Sequence, residues 1–507
     1  MTLVVIPLAA STAGQLLADS QRAMAAGADL VEWRLDTAIG LGADPQTVIE
    51  AIRQAPLPVL LTIRHRSENG NWTRTEAERF AWFAAADQAG ATYVDVELAH
   101  DRGWRPATAR LILSSHDFHG MGHDCAGQIA EMERRGAIAK IAVTAGDAAD
   151  LDQVRSLLGA RPGERIVLAM GEHGLPSRLL AGVWGGLLTF ARLPDQEGSA
   201  PGQPTVTDLI GLYRLHEQRP GWRIFGVVGN PISHSLSPHL HNPCMAQVKA
   251  DAVYVPFLVA DLPRFWAACG TWLAGLSVTI PHKETLLEIG DANKEWVIEE
   301  GPKRIGAANT LYRVDGGSPR LANTDEVAIS DRLEARGSLA GKTLLCLGAG
   351  GVARAIAYVG WARGAHVVIA NRTLDRAQAL AARFPSWGPN RPGARAVTFA
   401  EAADITYDVL VNGTSVGMKD PASSPWPAAL HRPGTVVFDT VYIPFETRLL
   451  REAQAAGATV IPGLEMFIGQ AADQFRRFTG QEMDRAQAER ILRARLAPSD
   501  AGAGGKD

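Results

Sequence analysis

The chain is poor in cysteine. Its 507 residues include four, at positions 125, 244, 269 and 346, with no Cys-x-x-Cys pair among them. Thiols so few and so scattered exclude a disulfide framework and a cysteine zinc site, and they fit a reducing cytoplasm. An excess of one charge is missing too: 50 basic against 54 acidic residues leave a net charge of −4. Nucleic-acid and membrane-surface proteins usually carry a basic excess, so neither partner is expected. Long apolar runs are also absent. The longest early one, residues 3–10, is too short to span a bilayer. No Lys or Arg precedes it and Pro7 interrupts it, which favours a buried first strand over a signal peptide. Proline and glycine, 29 and 51 residues, are too few for a collagenous or low-complexity chain. What is present is a 46% hydrophobic composition and a length that suits about three domains of ~150 residues. This is the profile of a multidomain enzyme.

Short β-rich runs recur at residues 3–7, 30–34, 58–64, 92–98, 110–114, 138–143, 165–170 and 187–190. Ala-rich stretches such as 11–26, 75–89 and 147–158 lie between them and read as amphipathic helices. Eight strand–helix alternations within the first 217 residues predict a (β/α)₈ TIM barrel. Chemistry in that fold belongs at the C-terminal ends of the strands. Glu32, Arg34 and Asp36 end the second run, Arg64 the third, Glu97 the fourth and His116 the fifth, and Lys140 lies in the sixth. Polar strand ends are often just solvated loop starts. Lys140 stands apart, because its neighbours Ile138, Ala139, Ile141, Ala142 and Val143 are all apolar. A lysine in such a run must be paired, must snorkel, or must be kept partly neutral for chemistry.

Burial and the cations Arg34, Arg64 and Arg178 would lower the Lys140 pKa from its ordinary ~10.4 toward the ~7–8 useful in catalysis. A neutral amine attacks a ketone to form a Schiff base. The iminium acidifies the adjacent C–H, and a nearby histidine can take that proton. The residues thus suggest a Schiff-base lyase or aldolase with Lys140 as nucleophile and His116 as acid–base group. The arginines suit an anionic substrate, since a guanidinium grips carboxylate with two bonds.

Six ordered motifs carry a resemblance. They are Val31-Glu32-Trp33-Arg34-Leu35-Asp36, Leu61-Thr62-Ile63-Arg64, Ser114-Ser115-His116-Asp117-Phe118-His119, Lys140-Ile141-Ala142, Ser177-Arg178-Leu179 and Ser199-Ala200-Pro201-Gly202-Gln203. Together they resemble type I 3-dehydroquinate dehydratase. The resemblance implies dehydration of 3-dehydroquinate to 3-dehydroshikimate through an imine on Lys140, with His116 moving the proton. It implies that Arg178, Ser199 and Gln203 hold the carboxylate. Glu32, Arg34 and Arg64 would address the ring hydroxyls, with Glu32 also supporting the histidine. Two loops depart from the family: Gly120-Met121-Gly122 replaces a usual Thr-Pro turn, and Glu68-Asn69-Gly70 stands where Glu-Gly-Gly is common.

The second catalytic part begins after a boundary at residues 218–221. A strand at 342–347 leads into Gly348, Ala349, Gly350, Gly351, Val352 and Ala353, then a helix and a second strand. A G-x-G-x-x-A placed in a βαβ unit marks a Rossmann dinucleotide site. About twenty residues on, an NAD enzyme offers Asp or Glu to the ribose. Here stand Asn371, Arg372 and Thr373, with Arg376 a turn later, which favours the 2′-phosphate of NADP(H). Upstream, Ser235 and Ser237 sit in a Pro-bounded turn where both hydroxyls can meet one carboxylate. Lys283 follows an apolar strand, and Asp325 follows Asn323 and Thr324. Such a Lys–Asp pair can protonate a carbonyl oxygen as hydride reaches its carbon, or be a plain surface ion pair.

Residues 222–490 resemble shikimate dehydrogenase, on stretches 229–238, 278–283, 306–310, 323–325, 348–353, 371–373, 412–418, 439–442 and 463–470. The resemblance implies NADPH reduction of 3-dehydroshikimate with Lys283 and Asp325 as the catalytic pair. Ser235, Ser237, Thr279, Asn309, Tyr442 and Gln470 would hold the substrate, and Thr414 and Met418 would join the cofactor site. Ser277 departs from a usual Asn, and Leu321 and Ala328 from usual glycines.

The expected organisation is a barrel over 1–217, a shikimate-binding lobe over 222–330 completed by 463–497, a Rossmann lobe over 331–462 and a disordered tail over 498–507. The product of the first half is the substrate of the second, so a bifunctional shikimate-pathway enzyme is expected. The alternatives are an inactive metabolite sensor, or NAD-dependent quinate oxidation by the second half. No metal is expected: histidines at i,i+4 need a helix to share a face, but Gly120 and Gly122 argue against one around His116, His119 and His123, and His234, His239 and His241 lie in a Ser/Pro-containing turn. Oligomeric state stays open.

Overall fold

The computed structural model describes residues 1–159, 163–198, 200, 202–388 and 392–496. Ser199 and the tail expected over 498–507 lie outside them. By their contacts the residues form two units, Met1–Ile224 with Asp251–Leu273, and Phe225–Ala250 with Ala274 onward.

The first unit contains eight strands: β1 (Leu3–Leu8), β2 (Leu30–Arg34), β3 (Val59–Thr62), β4 (Tyr93–Glu97), β5 (Arg110–His116), β6 (Ile138–Thr144), β7 (Arg165–Met170) and β8 (Leu188–Phe190). They run in the order β7-β6-β5-β4-β3-β2-β1-β8, each paired parallel to its neighbour. A backbone hydrogen bond of 2.8 Å from Leu187 N to Arg165 O links the two ends of that order. This is the (β/α)₈ arrangement, since helices such as Glu76–Ala89 and Leu151–Gly159 separate the strands.

Strand periodicity explains the interior. Successive side chains alternate faces, so residues i and i+2 share one. Val5, Leu30, Leu60, Tyr93, Ile112, Ile138, Ile166 and Leu188 form one buried cluster. Two and four residues on along the same faces stand Glu32 and Arg34, Thr62 and Arg64, Asp95 and Glu97, Ser114 and His116, and Lys140. The inward faces of β2 to β6 therefore gain polar and ionic groups toward their C-terminal ends, whereas those of β7 and β8 stay apolar, with Leu168, Met170 and Phe190.

One stretch groups differently from the sequence boundaries. Strand β10 (Ala252–Leu258) and helix Leu262–Cys269 belong by contact with the barrel rather than with the lobe expected over 222–330. Trp272 Nε1 donates to Asp152 Oδ1 (3.1 Å), Trp184 meets the Trp272 ring edge-on at 5.5 Å, and Arg264 pairs with Asp150 at 3.1 Å. Buried aromatic and thiol side chains here find their partners on the barrel.

The second unit has two sheets. One runs β9 (Arg223–Gly229), β11 (Leu273–Val278), β13 (Thr310–Tyr312), β14 (Arg320–Ala322), β12 (Val297–Ile298). The other is wholly parallel: β15 (Thr343–Leu347), β16 (His366–Ala370), β17 (Arg395–Val397), β18 (Val409–Asn412), β19 (Val436–Asp439) and β20 (Thr459–Ile461). Its order, β17-β16-β15-β18-β19-β20, is the 3-2-1-4-5-6 pattern of a Rossmann sheet. Leu344, Cys346, Val367 and Ile369 pack on one face, and Leu345, Leu347, Val368 and Ala370 on the other. Burial on both faces is why these strands read as unbroken apolar runs. Helix Gly463–Thr479 follows β20 and returns to the first of these sheets, where Gln474 meets Ser277 and Phe478 stacks on Phe225.

Candidate active sites

The barrel encloses a cavity of about 330 Å³ lined by Glu32, Arg34, Arg64, Glu68, His116, Lys140, Arg178 and Gln203, among others. Lys140 lies at its floor. Its Nζ donates to Asp95 Oδ2 at 2.7 Å and stands 4.6 Å over the Phe190 ring. So of the three fates open to a lysine in an apolar run, pairing is the one adopted, and its immediate neighbour is an aspartate rather than an arginine. Asp95 also accepts from Arg64 Nη2 (3.0 Å) and Ser114 Oγ (2.6 Å). Burial alone would raise its pKa, but Arg64 and Lys140 hold it well below the usual carboxylate range. Arg64 Nη1 reaches Glu97 at 3.2 Å, and Arg79 closes the network from behind on the other Glu97 oxygen.

His116 is paired with Glu68, not with the expected Glu32. Its Nδ1 lies 2.7 Å from Glu68 Oε2, while Glu32 Oε1 accepts from Thr62 Oγ1 at 2.6 Å. The reason is reach: Glu32 points inward beside Thr62 on the neighbouring strand, whereas Glu68 comes over the cavity on the loop after β3. Burial, Arg64 and Lys140 hold the His116 pKa well below its ordinary value, which favours the neutral imidazole. Burial raises Glu68 to about 7. Arg34 is held by Asp36 through two hydrogen bonds of 3.1 and 3.0 Å. Arg178 is buried, its Nε finds no hydrogen-bond partner among the described residues, and burial lowers its pKa to about 10. A buried guanidinium without a carboxylate is an anion site in waiting.

Asp95 and Glu68 are the functional residues that sequence reasoning passed over. The signal for Asp95 was there, since Tyr93, Asp95 and Glu97 share a face of β4. Glu68 carried none beyond its place in a loop. That loop also accounts for one family departure: Asn69 takes φ 57°, a left-handed conformation that Asn tolerates nearly as Gly does.

The second unit holds a cleft of about 510 Å³ whose lining includes Ser235, Ser237, Thr279, Lys283, Asn309, Asp325, Tyr442 and Gln470. Lys283 Nζ donates to Asp325 Oδ2 at 2.6 Å, with both side chains largely buried. Asn309 Oδ1 accepts from Thr324 N and Thr310 Oγ1, each at 2.8 Å, which fixes its amide. Burial raises the Tyr442 pKa, and its ring stacks on Phe467 at 4.6 Å. Ser277 donates to Gln474 Oε1 at 2.8 Å, and both line the cleft; Gln474 is one turn beyond Gln470 and was not foreseen. The two bulky departures are matched by glycines opposite: a Cβ on Gly290 would lie 2.4 Å from Leu321, and one on Gly469 would lie 3.1 Å from Ala328.

Val352 and Met418 line the same cleft, next to the Gly loop. Gly348 has φ +105°, and a Cβ there would approach Thr414 Cγ2 and Gly413 O within 3.0 Å. Thr414 Oγ1 is tied to Asn412 Oδ1 at 2.7 Å. Helix Gly351–Ala362, which includes Val352 and Ala353, begins at Gly350 with no side-chain cap, so its first amides are left for a ligand; a Cβ at Gly350 would meet open space. Asn371 Nδ2 donates to Thr373 O at 2.8 Å, shaping the turn after β16. Arg372 and Arg376 are exposed and have no ion-pair partner among the described residues. An uncapped helix end beside free guanidinium groups fits a phosphorylated dinucleotide, and Ala349 adds no bulk to that cradle.

Family models match in four segments. Type I 3-dehydroquinase covers residues 4–220, the shikimate dehydrogenase substrate binding domain 227–311, shikimate/quinate 5-dehydrogenase 331–415, and the shikimate 5′-dehydrogenase C-terminal domain 463–493. The chain is 37% identical over 511 residues to the chloroplastic bifunctional 3-dehydroquinate dehydratase/shikimate dehydrogenase of Arabidopsis thaliana, across 94% of this chain and 82% of that one. The chain belongs to this bifunctional family. Its second part is 37% identical to the shikimate dehydrogenase (NADP(+)) of Pyrococcus furiosus, across 54% of this chain and 96% of that one. A solved structure of dehydroquinate dehydratase and shikimate dehydrogenase from S. pombe AroM matches across 97% of this chain and 98% of that one, at 23% identity and a TM-score of 0.44. Along this chain the dehydroquinase match comes first and the dehydrogenase matches follow.

Proposed function

We propose that the barrel dehydrates 3-dehydroquinate to 3-dehydroshikimate and that the cleft reduces this product to shikimate with NADPH. The observation that carries the reading is a repeated one: each cavity has a lysine bonded to an aspartate at its floor, Lys140 with Asp95 at 2.7 Å and Lys283 with Asp325 at 2.6 Å.

In the barrel, Arg178 and Gln203, with Ser199, receive the substrate carboxylate. Lys140 passes a proton to its surroundings and its amine adds to the ketone carbon; loss of water gives the imine. Asp95 and Arg64 stabilise the changing charge at that nitrogen. Neutral His116 takes the proton from the carbon beside the imine, and the electrons left behind expel the β-hydroxyl, which leaves as water with a proton from His116. A second water hydrolyses the imine and frees Lys140. Glu68 orients the imidazole throughout, and Glu32 and Arg34 bind ring hydroxyls.

In the cleft, Ser235 and Ser237 hold the carboxylate, while Thr279, Asn309, Tyr442 and Gln470 fix the ring. Gly348, Gly350 and Gly351 admit the pyrophosphate of NADP(H), and Arg372 and Arg376 the 2′-phosphate. The cofactor supplies hydride to the carbonyl carbon when bound. Lys283 delivers a proton to the carbonyl oxygen, and Asp325 holds the ammonium in place.

The family's shared activity, NADP preference and small-molecule substrates support this reading, and the four free, buried cysteines suit a cytoplasmic setting. No helix among the described residues is long and apolar enough to cross a membrane. Supplying 3-dehydroquinate and NADPH together tests it: the cofactor is consumed. Borohydride added with 3-dehydroquinate reduces the imine and tags Lys140 by mass. An unmodified Lys140 would sink the imine route.

A further inference from the structure

Three side chains outside the catalytic network converge at the rim of the barrel. His65 follows β3, His100 ends the turn Leu98–His100 after β4, and Glu76 opens helix Glu76–Ala89. One ligand-capable atom from each lies within 4.8 Å of the other two, and all three residues are half-buried. The imidazole rings are tilted with centroids 3.9 Å apart. Their mutual contacts are not those of a finished hydrogen-bond cluster. His100 Nδ1 stands 3.9 Å from Glu76 Oε2, beyond hydrogen-bond reach. Ser67 Oγ touches one nitrogen of each ring, His65 Nδ1 at 2.8 Å and His100 Nε2 at 2.9 Å. That serine leaves the remaining nitrogen of each ring without a hydrogen-bond partner among the described residues.

Neither histidine trio that the sequence brought forward includes these residues. They are far apart in the chain and meet because β3 and β4 are neighbours in the sheet. We propose that His65, His100 and Glu76 form a binding site for a borderline transition-metal dication of the zinc type. Two imidazoles and a carboxylate are the donor set such an ion takes, with a fourth position for water. Bonds of about 2.0–2.1 Å place tetrahedral ligands about 3.4 Å apart, so rotations moving these atoms by about an ångström close the site. Arg79 competes for the carboxylate, with Nη1 3.3 Å from Glu76 Oε2, which sets the affinity below that of a buried structural site.

The site is wired to the dehydratase. The His65 backbone N–H donates to Glu97 Oε1 at 2.8 Å, and Arg64 precedes it. Three residues further on, Glu68 holds His116. An ion on the other nitrogen of His65 turns the ring that Ser67 also holds, so it moves the turn Arg66–Glu68 that carries the histidine's partner, and it slows the dehydratase.

The test titrates the full chain, first stripped with a chelator, with zinc by calorimetry and with cobalt by visible absorption. The expected result is one equivalent bound, with the bands of a low-symmetry cobalt centre. His100→Gln and Glu76→Gln each weaken it about 10–100-fold. Zinc lowers dehydratase turnover in the parent and not in His100→Gln. Because these variants keep side-chain volume, thermal melting confirms that they fold; if either fails, His65→Gln replaces it in the same comparison. Absence of binding, or binding unchanged in the double variant His65→Gln/His100→Gln, overturns the proposal.

Discussion

The two sites place a lysine against an aspartate, yet their surroundings differ in kind. In the barrel the pair belongs to a buried lattice of charge: Lys140, Asp95, Arg64, Glu97 and Arg79 are joined in one chain of contacts. In the cleft Lys283 and Asp325 have no other ion-pair partner among the described residues, and neutral groups such as Asn309, Tyr442 and Gln470 line the space beside them. The difference fits the chemistry proposed for each. Imine formation and dehydration change the charge on a protein nitrogen several times, and fixed neighbours of both signs steady each change. Reduction moves one hydride and one proton, and a single donor suffices once the ring is held.

That contrast can be broken most sharply at the lysines. Lys140→Ala should remove dehydratase turnover by at least about 10⁴-fold, as loss of a covalent nucleophile does. It should also destabilise the barrel by about 3 kcal/mol, because a buried charge loses its partner. Lys283→Ala should cost the dehydrogenase about 10²–10⁴-fold. Its unfolding free energy should fall by less, about 1–2 kcal/mol, because Asp325 loses one hydrogen bond and no wider ion network is broken. Separate assays of the two reactions and urea unfolding of each variant read all four effects; equal destabilisation by both would erase the distinction.

Glu68 offers a finer probe. Its replacement by Gln should slow the dehydratase about 10²-fold, since His116 loses the carboxylate that orients it. Burial raises this carboxyl from 4.5 to about 7, so the folded barrel keeps a proton there that the unfolded chain has released. Its contribution to stability is thus fully present below pH 4.5 and lost as pH rises through about 7. Melting temperature measured from pH 4.5 to 7 should fall less steeply in Glu68→Gln than in the parent. Arg372→Ala is the mildest: the KM for NADPH should rise roughly tenfold while that for NADH hardly moves, as for one exposed charged hydrogen bond.

Much of this was legible before the structure. Periodicity placed all eight barrel strands, because a strand buried on both sides must be apolar and short. Lys140 announced itself as an ion flanked on both sides by apolar residues. The Rossmann lobe was visible in its Gly loop and the following strand. What sequence could not carry was partnership across loops. Glu68 meets His116 although 48 residues separate them. The stretch Asp251–Leu273 finds its neighbours on the barrel because of Trp184, Asp150 and Asp152, which nothing local to it reveals. The bulk of Leu321 and Ala328 looked like a departure until Gly290 and Gly469 were seen opposite. Strand patterns report which face is buried; they are silent about what lies across the gap.

Helix Gly463–Thr479 has a consequence for the order in which the molecule becomes competent. It supplies Gln470 and Gln474 to the cleft, so the second site lacks part of its wall until residue 474 has left the ribosome. Among the described residues, the barrel cavity draws on nothing beyond Gln203. Translation proceeds from the N-terminus and domains fold as they emerge. The newborn polypeptide thus acquires its catalysts in the same sequence in which their substrates are consumed, with the dehydratase finished while its successor is still being made.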